Sequence, residues 1–172
     1  MSLGKLGLVN FVHVSSATAS VELGGIDKDC PYLLICNNVI PETDPTDFKL
    51  RFNESGNPVS SADYDGSRYQ LRAGGSYAGT GYTNETFFDL STGLGNNSRE
   101  QLNLHCLINS AYDSSNHTSI NFQSIEYNSS PELVGYMSSG TYTQNSLVNG
   151  VTLLFNGGNI QEGKFALYRV DG

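Results

Sequence analysis

Hydrophobic and polar residues alternate with a period of two along much of this chain. Phe48, Leu50 and Phe52 share one face of the stretch FKLRF. Lys49 and Arg51 share the opposite face, which we expect to be solvated. The same alternation, or a short apolar run, predicts ten further strands: Leu8–Val14, Ala17–Leu23, Tyr32–Ile40, Ser67–Leu71, Thr86–Leu90, Gln101–Ile108, Ser119–Asn128, Leu133–Thr143, Val151–Phe155 and Phe165–Val170.

No segment of ten or more residues shows a helical period, and Gly, Asn, Ser and Pro separate the predicted strands. Short strands at this spacing are typical of an all-β protein with antiparallel pairing. The sequence therefore predicts an antiparallel, two-sheet β-sandwich, jelly-roll-like, with about ten strands. We expect a single domain over residues 1–172, in which residues 1–16 form an N-terminal strand or arm.

Two stretches interrupt the alternation. The first is an acidic segment, Pro41–Asp47, and the second runs from about residue 56 to residue 83 and is rich in Tyr and Gly. Tyrosines among small residues make adaptable contact surface, so we interpret the region Asp63–Tyr82 as an exposed interaction loop. Tyr69 also fits an alternating run, so an inward orientation remains an alternative for it. The candidate contact residues are Tyr64, Tyr69, Arg72, Tyr77 and Tyr82.

Charge excludes some partners. The chain of 172 residues is 38% hydrophobic and 15% charged, with a formal net charge of -8. A phosphate backbone would be repelled, so we expect no nucleic-acid partner. The sequence contains no polybasic segment that would address a membrane, and the N-terminal residues do not resemble a signal peptide.

The cysteines and histidines show no metal-binding pattern. Cys36 and Cys106 sit in apolar strand patterns, where we expect buried free thiols, and Cys30 leaves the count odd. Such thiols suggest folding in a reducing compartment. The histidines are His13, His105 and His117, and their spacing matches no zinc motif.

Catalytic motifs are also missing from the sequence. The pair Asp63 and Asp65 resembles the start of a calcium loop, but further ligands in register are lacking, so a turn is predicted. No Gly-x-Ser-x-Gly elbow occurs. Glu22, Glu126 and Glu162 are scattered and are attributed to solvated faces. We therefore expect a protein that is not an enzyme and has no cofactor, while a glycan-cleaving carboxylate pair remains a minor alternative.

The C-terminal half resembles jelly-roll proteins associated with bacteriophage virions. The resemblance rests on Ser138–Tyr142, Val151–Phe155 and Gly157–Tyr168, with weaker support upstream from Tyr32–Pro41, Phe48–Phe52 and Ser67–Leu71. It extends from about residue 17 to the end. The family's usual Leu-Tyr-Gly ending is replaced here by Leu167-Tyr-Arg-Val170.

This resemblance implies a non-enzymatic structural protein of the virion. The first hypothesis is a capsid decoration, or cement, protein that binds the major capsid protein and forms a homo-oligomer, most simply a trimer. The alternative is a tail-fibre or receptor-binding module that recognises glycan on the host surface. The family carries no agreed active site, so it assigns no functional residues.

Overall fold

The computed structural model describes residues 5–171, which form thirteen β-strands and no helix. The described part of the chain therefore has no helix that is long and apolar enough to cross a membrane. The strands are β1 Lys5–Val14, β2 Ser20–Gly24, β3 Tyr32–Pro41, β4 Thr46–Glu54, β5 Asn57–Pro58, β6 Tyr64–Arg72, β7 Tyr77–Glu85, β8 Phe88–Leu94, β9 Leu102–Asn109, β10 Thr118–Tyr127, β11 Leu133–Tyr142, β12 Gly150–Phe155 and β13 Ile160–Asp171.

The strands pair antiparallel in two sheets. The large sheet has the order β1-β13-β3-β9-β10-β11-β6-β7, and the small sheet has the order β2-β12-β4, with β4 also pairing β5 and β8. The quartets β1-β13-β3-β9 and β2-β12-β4-β8 have the strand order of a jelly roll. The remaining large-sheet strands, β10, β11, β6 and β7, extend the first quartet on one side, and we call them the extension.

The core lies between the sheets and is filled from the inward-facing positions of the alternating strands. An aromatic cluster lies where β8 meets the extension: the ring centroids of Tyr64 and Phe88 are 4.9 Å apart, and those of Tyr64 and Tyr142 are 5.1 Å apart. Tyr64 is fully buried. Its hydroxyl accepts a hydrogen bond from the backbone N–H of Phe52 and donates one to the carbonyl of Val59. These bonds satisfy the polar end of a buried ring.

The predicted fold class is confirmed. The chain ends on β13, which lies between β1 and β3 inside the large sheet. Of the expected N-terminal strand or arm, Lys5–Val14 is β1, and residues 1–4 lie outside the described part. Cys36 and Cys106 are buried free thiols, as the alternating pattern predicts.

The predicted loop Asp63–Tyr82 is wrong, because the chain there forms the hairpin of β6 and β7. The strand predicted over Ser67–Leu71 is confirmed as part of β6. Glycines allow the pairing, since an aromatic ring on one strand covers the bare backbone of the other. The Tyr82 ring lies over Gly66, where a Cβ atom would overlap it. The expected solvation of Lys49 is also wrong, because this side chain is buried.

Candidate interaction surface

One side of the large sheet faces solvent, and we call it the outer face. The strand registers place three rows of outward side chains across all eight strands. The first row is Leu8, Tyr168, Leu33, Leu107, Asn121, Ser139, Ser67 and Gly81. The second is Phe11, Ala166, Ile35, His105, Gln123, Met137, Tyr69 and Gly79. The third is His13, Lys164, Asn37, Asn103, Ile125, Gly135, Leu71 and Tyr77.

These rows contain no carboxylate, although the chain has 17 Asp and Glu residues and a net charge of -8. Lys164 is the one Lys or Arg residue in these rows, which also contain His13 and His105. Carboxylates occur on this side of the sheet only beyond these rows, as with Asp65 of β6 and Glu162 of β13. Most surfaces that remain in water have dispersed charges, so these rows are the candidate contact surface.

The outer face has two apolar regions, separated by His105, Asn121, Gln123 and Ser139. One region, the aliphatic half, lies on β1, β13, β3 and β9. The other, the tyrosine half, lies on the extension. The members of the aliphatic half are Leu6, Leu8, Phe11, Leu33, Ile35, Leu107 and Tyr168, and those of the tyrosine half are Tyr69, Leu71, Tyr77, Ile125 and Met137.

The tyrosine half presents two parallel rings. The centroids of Tyr69 and Tyr77 are 6.2 Å apart with an angle of 8° between the ring planes, and the residues are 46% and 67% exposed. Beside them, a shallow groove of about 430 Å³ is lined in part by Leu71, Ile125 and Met137. Rigid, exposed rings next to a groove can supply a large contact area with little loss of conformational entropy.

The five predicted contact residues do not lie on one surface. Tyr69 and Tyr77 point outward, so the inward alternative for Tyr69 is wrong. Tyr64 cannot be a contact residue, because β6 directs it into the core. Tyr82 and Arg72 are half-buried on the inner side of the same hairpin.

The inner side of the hairpin rests on a buried polar cluster. Lys49 forms ion pairs with Asp89 and Asp47, and its ammonium lies 4.2 Å from the centroid of the Phe87 ring. A guanidinium nitrogen of Arg68, on β6, lies 3.5 Å from a carboxylate oxygen of Asp89. A buried lysine needs such partners, because leaving water destabilises its charged form. The cluster links the hairpin to the small sheet.

Further hydrogen bonds hold the two hairpin strands on their inner side. The backbone N–H of Asp89 donates to the Tyr82 hydroxyl over 3.1 Å, and burial raises the pKa of Tyr82 to about 12. At the end of β6, the Arg72 guanidinium donates to Glu132 over 2.8 Å and to the side-chain oxygen of Gln70 over 3.1 Å. These hydrogen bonds position the hairpin.

Glu126 is a second buried charge-bearing group under the extension. It is 1% exposed, and its carboxyl oxygens form no hydrogen bond with any residue between 5 and 171. Burial raises the pKa of Glu126 to about 8, with Asp47 adding to the effect while Ser91, Arg68 and Tyr136 oppose it. Glu126 is therefore mainly neutral at pH 7, and its expected place on a solvated face is wrong.

The acidic pair that resembled a calcium loop has other partners. Asp63 accepts hydrogen bonds from Ser61 and Gln144, and Asp65 accepts one from the backbone N–H of Asn84 over 2.8 Å. Across residues 5–171, the His, Cys, Asp and Glu side chains form no group of three that could hold a metal ion. These contacts place Asp63 in the turn before β6 and Asp65 within β6.

The sequence interpretation missed Ile125 and Met137. Their strands place large apolar side chains on both faces at some positions: in β10, Ile120 and Phe122 point inward while Ile125 points outward. Such breaks in a polar face are the signal that could have identified them.

No protein-family model matches this sequence, and no curated protein matches it either. Among solved structures, a toad ovary galectin in complex with thio-digalactose matches at 10% identity, over 80% of this chain and 99% of the galectin, with a TM-score of 0.27. The VP2 subviral particle of infectious bursal disease virus matches at 11% identity, over 98% of this chain and 40% of VP2, with a TM-score of 0.13. Likeness at this level carries no argument about the function of this chain.

Proposed function

We propose that this β-sandwich is a non-catalytic protein that docks onto a larger protein assembly through the tyrosine half of its outer face. The observation that carries the proposal is the pair of parallel, exposed tyrosines in rows of the outer face that contain no carboxylate. Aromatic residues and Met are enriched at the centres of protein interfaces, whereas Glu and Asp are depleted there.

The support beneath the surface fits the same role. Arg68 and Tyr82 fix the hairpin from the inner side, so Tyr69 and Tyr77 are held in place before a partner arrives. A surface that is already ordered loses less entropy when it binds. The polar residues between the two halves, such as Asn121 and Gln123, can donate and accept hydrogen bonds at the edge of the contact.

The resemblance to phage jelly-roll proteins suggests which assembly to test. We infer a virion structural protein, of the capsid decoration class, whose partner is the major capsid protein. Phage particles that lack this protein should recover it when the purified chain is added. A wild-type chain that does not bind such particles would contradict the virion assignment.

The tyrosine half is tested with Tyr69→Ser combined with Tyr77→Ser. Both side chains are exposed, so the melting temperature should change little, while particle occupancy should fall by at least about tenfold, as for loss of an interface anchor. The matched control is Tyr112→Ser combined with Leu147→Ser, which removes exposed apolar side chains away from the outer face. Equal occupancy of both double variants would reject the tyrosine half as the contact surface.

A glycan is the second candidate partner, because flat exposed rings beside amide side chains also suit the apolar face and hydroxyls of a sugar. This is the tail-fibre alternative. A glycan array probed with the wild-type chain and the Tyr69/Tyr77 double variant separates the two. Tyrosine-dependent glycan binding, without binding to particles, would favour the tail-fibre function over decoration.

A further inference from the structure

We propose that Asn156, in the bend between β12 and β13, is a site of spontaneous deamidation, where asparagine is converted into aspartate and isoaspartate. Two Asn-Gly dipeptides occur in the chain, Asn149-Gly150 and Asn156-Gly157. The fold protects the first of them and leaves the second free to react. The bend lies outside the outer-face rows that contain the docking surface, so the site does not rest on the proposed function.

The reaction meets little hindrance when glycine follows asparagine. The backbone nitrogen of the glycine forms a bond to the side-chain carbonyl carbon, the C–N bond of the side-chain amide breaks, and ammonia leaves with the proton of the glycine nitrogen. Glycine has no Cβ atom to obstruct this approach, and it adopts a wide range of backbone angles. One water then opens the cyclic imide. Breaking its bond to the side-chain carbonyl gives aspartate, and breaking its bond to the backbone carbonyl gives isoaspartate.

The bend after Phe155 provides this freedom. Asn156 and Gly157 are exposed, and a Cβ atom on Gly157 would meet no atom within 4 Å. Two hydrogen bonds hold the bend, from the Asn156 N–H to the Asp47 carbonyl and from the Thr46 hydroxyl to the Gly157 carbonyl. Neither bond uses the two groups that react, the Asn156 side chain and the Gly157 nitrogen. These groups can therefore approach one another without breaking the pairing of β12.

The other dipeptide is held by the sheet. Gly150 is buried at the start of β12, which pairs with β2 on one side and β4 on the other. A Cβ atom on Gly150 would lie 2.8 Å from the Leu23 carbonyl oxygen, so the backbone there is closely packed. The Asn149 side-chain oxygen accepts a hydrogen bond from the Gly56 N–H over 3.2 Å. This dipeptide can react only when the strand opens.

The two products have different effects on the fold. Both add one negative charge to the net charge of -8, beside the acidic segment Pro41–Asp47 that the bend contacts. Isoaspartate also inserts one carbon atom into the main chain, directly after the core residue Phe155. The hydrogen bonds to Asp47 and from Thr46 then no longer match the chain. We therefore expect isoaspartate to lower the melting temperature, whereas aspartate leaves the backbone unchanged.

The test incubates the folded wild-type chain at mildly alkaline pH in water enriched in heavy oxygen. Chymotrypsin cleaves after aromatic residues, so cleavage after Phe155 separates Asn156 from Asn149. Digestion takes place in ordinary water, so that heavy oxygen marks only the deamidation that preceded it. Mass spectrometry should find deamidation with one heavy oxygen at Asn156, while Asn149 stays unchanged.

Two variants are the matched controls. Gly157→Ala fits the fold, because its Cβ atom has open space and Gly157 has no positive φ. It should slow the reaction at Asn156 severalfold, since the new side chain obstructs the attacking nitrogen. Asn156→Asp supplies the charge on an unaltered backbone. Any loss of melting temperature in the incubated wild type beyond that of Asn156→Asp therefore measures isoaspartate.

Unfolding in urea provides the last control. Both dipeptides should react there, because the protection of Asn149 comes from the fold. An Asn156 that stays intact in the folded chain but reacts in urea would overturn the proposal. Equal reaction of Asn149 and Asn156 in the folded chain, or a Gly157→Ala variant that reacts as fast as the wild type, would overturn it as well.

Discussion

The jelly-roll quartet and the extension are the two halves of the large sheet, and they bury different kinds of side chain on their inner faces. Beneath the jelly-roll quartet, the inward side chains are apolar, as with Leu34, Ile108 and Phe165, all fully buried. Beneath the extension, they include Arg68 and Glu126, which are charged or ionisable. Both halves bury apolar side chains, and the extension adds ionisable groups that are held by specific polar contacts.

The small sheet explains this difference. Its strand β2 packs on β1 and β13, whereas its edge strand β8 packs on β10, β11 and β6. Phe52, near the end of β4, also reaches Tyr64 and Tyr142 of the extension. The aromatic cluster fills the space next to β8, but the area farther out has no opposing strand. Long side chains such as Lys49, Arg68 and Tyr82 fill it, because they can reach across and pair their polar ends.

The largest expected effect separates the two faces of β6 and β7. Tyr64→Ala removes a fully buried ring that packs on Phe88 and Tyr142, and it should lower the free energy of unfolding by about 3–5 kcal/mol. Tyr77→Ala removes an exposed ring and should change it by less than about 0.5 kcal/mol. Urea denaturation measures both. Similar losses in the two variants would contradict the assignment of inner and outer faces.

The second prediction concerns the loss of Lys49 from the buried polar cluster. Lys49→Met leaves Asp89 without its buried lysine, and it should lower the free energy of unfolding by about 3 kcal/mol. The loss is limited because Arg68 still faces Asp89. Lys164→Met, on the outer face, is the control and should have an effect within about 0.5 kcal/mol. If both lysines prove equally dispensable, the cluster does not hold the extension in place.

The third prediction concerns Glu126 and pH. The folded-state pKa of about 8 lies above the ordinary value of 4.5, so the folded state binds the proton more tightly than the unfolded state. The stabilisation is therefore complete below about pH 4.5 and is lost as pH rises towards 8. Ionisation of Glu126 should lower the free energy of unfolding by roughly 2 kcal/mol or more between pH 5 and pH 8.

Glu126→Gln isolates the contribution of this ionisation to stability, because the amide has nearly the same shape as the carboxyl group and does not titrate. The difference in free energy of unfolding between wild type and variant should move in favour of the variant from pH 5 to pH 8. Any pH-independent effect of the new amide cancels in this comparison. A difference that is constant with pH would show that Glu126 is already ionised in the folded protein.

The sequence predicted the fold class because the quartet obeys a simple rule. In β9, Leu102, Leu104 and Cys106 alternate with polar or exposed residues, and each lies in the core. Period-two patterning determines which side is buried when one face packs on another sheet. Within the extension, β10 also follows the rule. In contrast, β7 has no apolar alternation, because Gly79 and Gly81 interrupt it, and this stretch was therefore interpreted as a loop.

The candidate site was predicted less well, for a physical reason. Tyr69 and Tyr77 were identified from composition, but Tyr64 has the same composition around it and lies in the core. Only the register of the hairpin distinguishes the two environments. Lys49 and Glu126 look solvated in sequence, because their burial depends on partners such as Asp89 that are distant in the chain.

The last prediction tests whether the quartet and the extension unfold together. The three native cysteines serve as reporters, so none has to be introduced. Cys36 and Cys106 lie on β3 and β9 in the buried core of the quartet, and burial raises the pKa of both thiols. Cys30 is only partly buried. In the native protein at pH 8, a thiol reagent should modify Cys30 first. The reagent reacts with a thiolate that it can reach, and Cys30 is the partly exposed cysteine.

The other two thiols should react on the order of 1,000-fold more slowly, at a rate set by opening of the quartet. The same measurement on Lys49→Met then separates two outcomes. If the extension can open alone, Cys36 and Cys106 keep their slow reaction although the variant is less stable. If the sheet unfolds as one unit, their reaction accelerates in proportion to the lost stability, and the distinction between the halves does not extend to their dynamics. We expect the second outcome, because β9 and β10 are hydrogen-bonded across the boundary from Asn103 to Asn109.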